Sequence, residues 1–91
     1  MHDYTLMNID INWLNSYIKI FVKNYESKII VINCKNFKKF DISKFEEWGK
    51  SNSINEITPN LVEEKICIEL VIEMQSGDLI NISAENIFLS D

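Results

Sequence analysis

Ninety-one residues leave room for one hydrophobic core and not two, and a chain that is 46% hydrophobic and 25% charged has the balance of a folded domain, not a disordered one. Nine lysines, no arginine and fourteen acids give a net charge of −5 and a pI near 4.8, which argues against nucleic acid as a direct partner, because phosphate contacts need a basic excess and base-edge recognition favours the arginine fork. No apolar run reaches the roughly 18 residues of a membrane span, and the start of the chain lacks the basic and apolar stretches of a secretory signal, so a cytoplasmic protein with no membrane contact is expected.

Sixteen isoleucines against one proline (Pro59) and two glycines (Gly49, Gly77) favour β-structure, since β-branched side chains suit a pleated surface. The whole of 1–91 reads as a single domain, with residues 1–6 expected as a frayed extension and Met7 as an alternative start. Asn12 to Lys23 admits two readings. Leu14, Tyr17, Ile18 and Phe21 fit helical spacing, whereas Ile18, Ile20 and Val22 alternate with Lys19 and Lys23. The strand is preferred, because Ile20 and Val22 would fall off the helical stripe. Asn24-Tyr25-Glu26-Ser27 then supplies turn residues, and the run Ile29-Ile30-Val31-Ile32 within Lys28 to Cys34 completes a first hairpin.

Further along, Ser43-Lys44-Phe45-Glu46 has the form of a capping box, which predicts a short helical turn over 44–48 ended by Gly49. Ile54 to Ile57 is expected as a brief strand before Thr58-Pro59-Asn60 turns the chain. The clearest element is Ile66 to Met74. Ile66, Ile68, Leu70, Ile72 and Met74 fall on one face of a strand, with Cys67, Glu69, Val71 and Glu73 on the other. A three-residue loop, Gln75-Ser76-Gly77, would pair Met74 with Asp78, Ile72 with Ile80, Leu70 with Ile82 and Ile68 with Ala84. A two-residue turn would put Ile80 and Ile82 on the wrong face, so burial selects the longer loop. The expected fold is mainly β: a small antiparallel sheet of two hairpins, as a sandwich or half-barrel, with one short helical turn near 44–48. The alternative is α+β with an N-terminal helix at 12–23.

Candidate chemistry is sparse. His2 is the only imidazole, so the usual Ser/His/Asp and Cys/His arrangements lack their base. Cys34, Cys67 and His2 are too few and too far apart for a zinc site, and two glycines make no phosphate loop. No enzyme, metal or cofactor is expected. The cysteines read as two buried thiols in a reducing compartment, with a disulfide between them as the alternative. Adjacent carboxylates at Glu46-Glu47 and Glu63-Glu64 read as solvated surface. Two regions could bind a partner. One is 45–56, where Glu46, Glu47, Trp48, Asn52, Asn55 and Glu56 combine an aromatic anchor with acids and amides on a loop. The other is the outward face of the C-terminal hairpin with Glu69 and Glu73. The ordinary alternatives are that Trp48 caps the core and that both carboxylate sets only keep the domain hydrated.

The stretch Phe45-Glu46-Glu47-Trp48-Gly49-Lys50-Ser51-Asn52-Ser53-Ile54-Asn55-Glu56-Ile57, followed by Ile72-Glu73-Met74-Gln75-Ser76-Gly77-Asp78-Leu79-Ile80, resembles the small immunity proteins encoded beside bacterial polymorphic or contact-dependent growth inhibition toxins. The resemblance covers about half the chain and rests on the Trp-Gly-x-Ser-x-Ser-Ile-Asn segment and the Gln-Ser-Gly-Asp turn. It implies a cytoplasmic protein that binds one cognate toxin domain, often a nuclease, and blocks it by occlusion. An acidic balance suits a basic cleft on such a partner. Two other classes remain in view. One is an acidic mimic of nucleic acid from a mobile element, which needs a one-sided acidic stripe that Lys44 and Lys50 around Glu46 and Glu47 speak against. The other is a small enzyme or a non-catalytic subunit.

Overall fold

The computed structural model describes residues 4–43 and 53–90. Among these residues six strands run as β1 (Thr5–Asn12), β2 (Tyr17–Lys23), β3 (Ile29–Ile42), β4 (Ile54–Thr58), β5 (Ile66–Met74) and β6 (Leu79–Ser90), with one helical turn, α1 (Leu61–Glu64), between β4 and β5. They form one antiparallel sheet in the order β1-β2-β3-β6-β5-β4, curled as a half-barrel. The mainly β expectation holds, and the half-barrel is the arrangement found. The expected helical turn over 44–48 lies outside the described residues. The helix over 12–23 does not form: Trp13–Ser16 makes a turn instead, closed by the Ser16 amide on the Trp13 carbonyl at 3.2 Å, and β2 follows.

Both expected hairpins are present. Ile18, Ile20 and Val22 face Cys34, Ile32 and Ile30, and these odd-even alternations send the aliphatic side chains inward. Ile72 faces Ile80 and Leu70 faces Ile82, while the Met74 amide donates to the Asp78 carbonyl and the Gly77 amide to the Met74 carbonyl, both at 2.9 Å. That is the three-residue loop selected by burial, with Gly77 at φ +95°. The β2–β3 loop repeats this geometry without a glycine. The Asn24 amide donates to the Lys28 carbonyl and the Ser27 amide to the Asn24 carbonyl, so Ser27 takes the left-handed position at φ +64°. The Asn24 side chain holds the loop by accepting from the Glu26 and Lys28 amides.

Two expectations are corrected. Ile66 and Ile68 are 57% and 64% exposed, not buried. The β5–β6 ladder slips between Cys67 and Glu69, which face Ile87 and Ser83, so the alternation changes phase at that point. Ala84 accordingly pairs with Phe37 on β3 and not with Ile68. Residues 4–6, expected within a frayed extension, belong to the sheet. Leu6 faces Val22, and the Ile54 amide donates to the Tyr4 carbonyl at 2.9 Å. A register shift between Leu6 and Asn8 breaks the regular alternation of β1, which is why its pattern does not read as a strand.

The interior is almost entirely aliphatic. Ile18, Ile20, Ile32, Ile54, Ile72, Ile87, Val22 and Cys34 are fully buried, and Leu61, Leu70, Ile80 and Ile82 nearly so. Thr5 and Ser53 form a bridge, so the two outermost strands, β1 and β4, meet at one end. Leu61 enters the core from α1, whose first turn is capped by the Asn60 side chain accepting from the Val62 amide at 3.0 Å.

The two matched loops give a paired test. No atom lies within 4 Å of a Cβ built on Gly77, so Gly77→Ala acts through backbone strain alone and is expected to lower stability by about 1–2 kcal/mol. Ser27→Gly relieves the same strain while loosening the unfolded chain, for a net gain of about 0.5–1 kcal/mol. Chemical denaturation of the two variants measures both signs.

Candidate functional site

On β5 the buried residues Leu70, Ile72 and Met74 alternate with Glu69, Val71 and Glu73, so the sheet pleat itself aims both glutamates outward. On β4, Ile54 and Ile57 are buried, and the register shift between Ile54 and Glu56 leaves Asn55 and Glu56 exposed. Glu56 stands directly opposite Glu73, and the Asn55 amide donates to Glu73 Oε1. Asn55, Glu56 and Glu73 are thus brought together, with Glu69 further along the same face opposite Ser83. Of the other expected site residues, Glu46, Glu47, Trp48 and Asn52 lie outside the described residues.

This face continues across β6 onto β3. Val71 and Asn81 pair, Asn81 pairs with Asp41, and Ser83 pairs with Lys39. A shallow groove of about 330 Å³ runs between Lys39, Asp41, Glu69, Val71, Asn81 and Ser83. Four carboxylates (Asp41, Glu56, Glu69, Glu73) and one lysine (Lys39) therefore share a sheet face around the apolar pair Val71 and Leu79. Like charges on adjacent strands repel at contact range, so the Glu56–Glu73 pairing is not an arrangement that stabilises the sheet.

A second face was not anticipated. Between Tyr17 and Phe40 the chain carries six lysines and a single acid, Glu26, whereas from Asp41 to Asp91 it carries eleven acids and three lysines. The strand order converts this asymmetry into space, since β2 and β3 lie on one side of the sheet and β5 and β4 on the other. Tyr17, Lys19, Phe21 and Lys23 alternate with buried Ile18, Ile20 and Val22 and so face outward. Across the ladder they meet Lys35, Asn33, Val31 and Ile29, and Asn33 meets Phe88. Asn33 is buried among these groups: its carbonyl oxygen accepts from the Tyr17 hydroxyl at 3.0 Å and its amide donates to Ser90 Oγ at 2.8 Å. Lys19 Nζ lies 5.8 Å from the centre of the Tyr17 ring. The clustering of lysines along the sequence was the available signal.

A third feature is apolar. At the β1–β2 turn Trp13 and Leu14 are 81% and 91% exposed, and Trp13 meets Phe37 edge-on with ring centres 6.0 Å apart. A cavity of about 370 Å³ lies between β1 and the β5–β6 turn, lined mainly by Leu6, Met7, Ile9, Ile42, Met74 and Ile80. Asp78, buried at its rim, accepts from the Ser76 hydroxyl at 2.9 Å.

Cys34 and Cys67 both face Ile87, from its two flanking strands. With β6 between them their Cα atoms are two strand spacings apart, about 9–10 Å, beyond the ~7 Å limit for a disulfide, and both are free thiols. Burial pushes the Cys34 thiol up to about 12, with a smaller contribution from Cys67. Cys67, only half-buried, is raised by its burial and then by the nearby Glu64 carboxylate, against a lowering backbone hydrogen bond at Glu69. Among the described residues no group of three or more His, Cys, Asp or Glu is placed to hold a metal ion, and no helix is long and apolar enough to cross a membrane.

No family model matches the chain, and no curated protein resembles it significantly in sequence. Among solved structures it is similar to a crystal structure of an uncharacterized protein from Neisseria gonorrhoeae, with 19% identity and a TM-score of 0.63 over 100% of this chain and 93% of that one. A likeness at that identity concerns the fold.

The thiols give a measurable consequence. A thiol kept neutral in the fold but free to ionise when unfolded contributes stability that is complete below the ordinary value of 9.0. That contribution is lost as pH rises from there toward about 12. Stability is therefore expected to fall through this alkaline window, less steeply in Cys34→Ala, as followed by denaturation at stepped pH. At pH 8 an alkylating reagent is expected to label Cys67 well before Cys34, read by mass spectrometry of the intact protein.

Proposed function

We propose that the protein is an immunity protein that binds a cognate toxin domain and covers a basic cleft on it, with the outward face of β4, β5 and the start of β6 as the contact. The observation that carries this reading is the one-sided gathering of Asp41, Glu56, Glu69 and Glu73 around Val71 and Leu79. Such a face couples long-range attraction for a basic surface with an apolar centre that loses water on contact. A nuclease that grips phosphates must present lysines or arginines in its cleft, and these are the groups the carboxylates would meet. The sequence resemblance to immunity proteins points the same way. Inhibition requires no chemistry from this chain, only coverage, and a standard interface takes about 800 Å² from each partner.

The same face favours a second reading, an acidic mimic of nucleic acid, because carboxylates gathered on one side are what such a mimic requires. The two readings differ in target: a toxin encoded next to this gene, or a nucleic-acid-binding protein of the host.

Co-expression with the toxin encoded immediately upstream is the direct experiment, and protection of the cells is the expected result. Glu56→Lys combined with Glu73→Lys should leave the circular dichroism of the sheet unchanged. The pair should weaken toxin binding at least tenfold, or about 1.4 kcal/mol or more, with the loss diminishing as salt is raised. Unaltered affinity in this variant would remove the acidic face from the interface.

A further inference from the structure

We propose that the lysine-bearing face of β2 and β3 is a docking surface for a second copy of this chain, whose acidic face on β4 and β5 is the occupant, so that copies associate head to tail. The inference rests on the two faces themselves and not on the immunity reading.

The basic face is not an ordinary wetted sheet. Ile29 and Ile66 on it are 51% and 57% exposed, and Phe21, Val31 and Phe88 are half-buried, so its centre is apolar. Their positions are contiguous through the ladder, since Phe21 faces Val31, and Phe88 faces both Asn33 and Ile66. Lys19, Lys23 and Lys35 stand around this centre, with Asp10 opposite Lys19 on the edge strand β1 and Glu85, which accepts from the Asn36 side chain, near Lys35 as carboxylates at its margin. An occupant must therefore be apolar in the middle and anionic at the rim.

The chain carries a surface of that description. Val71 and Leu79 form the centre of the acidic face, and Asp41, Glu56, Glu69 and Glu73 its rim, with Lys39 the one group of opposite sign in it among the described residues. Charge complementarity between two surfaces of one molecule supplies both attraction and orientation. Like faces would repel, which disfavours a symmetric pair built from two copies of the same face. On the shared strands β3, β6 and β5 the two faces lie toward opposite ends (Val31 against Asp41, Phe88 against Leu79, Ile66 against Glu73), so one copy offers each face to a different neighbour, and such heterologous contacts build chains or rings and not a two-fold pair. A partner on the acidic face would compete with this association.

Sedimentation velocity of the full chain over a range of concentrations, at low ionic strength and at about 0.3 M salt, reads the association, because salt shortens the reach of charge well below 10 Å at the higher value. The weight-average mass is expected to climb past that of a dimer with concentration at low salt and to return to that of a monomer at high salt. Two neutralising variants separate the faces: Lys19→Gln with Lys35→Gln, and Glu69→Gln with Glu73→Gln. Each alone should associate at least tenfold more weakly. An equimolar mixture retains one intact face of each kind and should stop at a heterodimer. A wild-type chain that stays monomeric throughout overturns the proposal, as does association that neither variant weakens. Binding of a short oligothymidylate by the monomer, abolished by the lysine variant, would reassign the basic face to nucleic acid. Thermal melting of both variants verifies the fold, and Lys19→Met with Lys35→Met serves if the glutamine pair melts early.

Discussion

A single sheet has two faces and can bury one of them only by curling onto itself or by finding a second layer. This chain supplies one turn of helix and no other layer among the described residues, so the aliphatic side chains of its core must be gathered on the concave side. Burying even one isoleucine contributes about 1.5–3 kcal/mol, and nine isoleucines lining one concavity make the curl the dominant stabilising feature. The contact that fixes it is small: β1 and β4 meet where Thr5 bridges Ser53 and the Ile54 amide reaches the Tyr4 carbonyl. The side chain of the same Ile54 is fully buried, so backbone closure and core packing converge on one residue.

Because the inner face is consumed by the core, whatever the protein recognises must be met by its outer face, its turns or its open end. The outer face is not uniform. Strand order places the lysine-rich middle of the chain at one side of the sheet and the acidic C-terminal half at the other. The apolar residues Phe21, Val31 and Phe88 on one side, and Val71 and Leu79 on the other, sit among charges that would orient a partner. A domain with net charge −5 thus carries a basic surface that its overall composition conceals.

How legible this was varied with how regular the local pattern is. Leu70 to Met74 and Leu79 to Ile82 alternate strictly, and a loop of fixed length lay between them, so strand, register and turn could all be read. The outward placement of Glu69 and Glu73 came with them. Ile66 and Ile68 continue the same period in sequence, yet the phase slips at Cys67, and nothing in the alternation announces a bulge. In β1 the register shift beside Met7 scrambles the alternation of Leu6, Ile9 and Ile11, so the strand shows no period and its first residues, within 1–6, read as an extension. Four residues of helix at Leu61–Glu64 are too few to show a period. The basic face went unread for another reason: charges were weighed by their sum, whereas the order in which strands assemble decides which of them become neighbours.

The claim on which the rest stands is that the two sheet edges meet and so commit the inner face to the core. Amide hydrogen exchange at Ile54 tests it most directly, because that N–H points away from β5 and is bonded only if β1 is in place. The account predicts protection of the Ile54 amide comparable to that of Ile72 in the β5–β6 ladder. Exchange at the rate of an open edge strand, with the β3–β6 amides still protected, would contradict it.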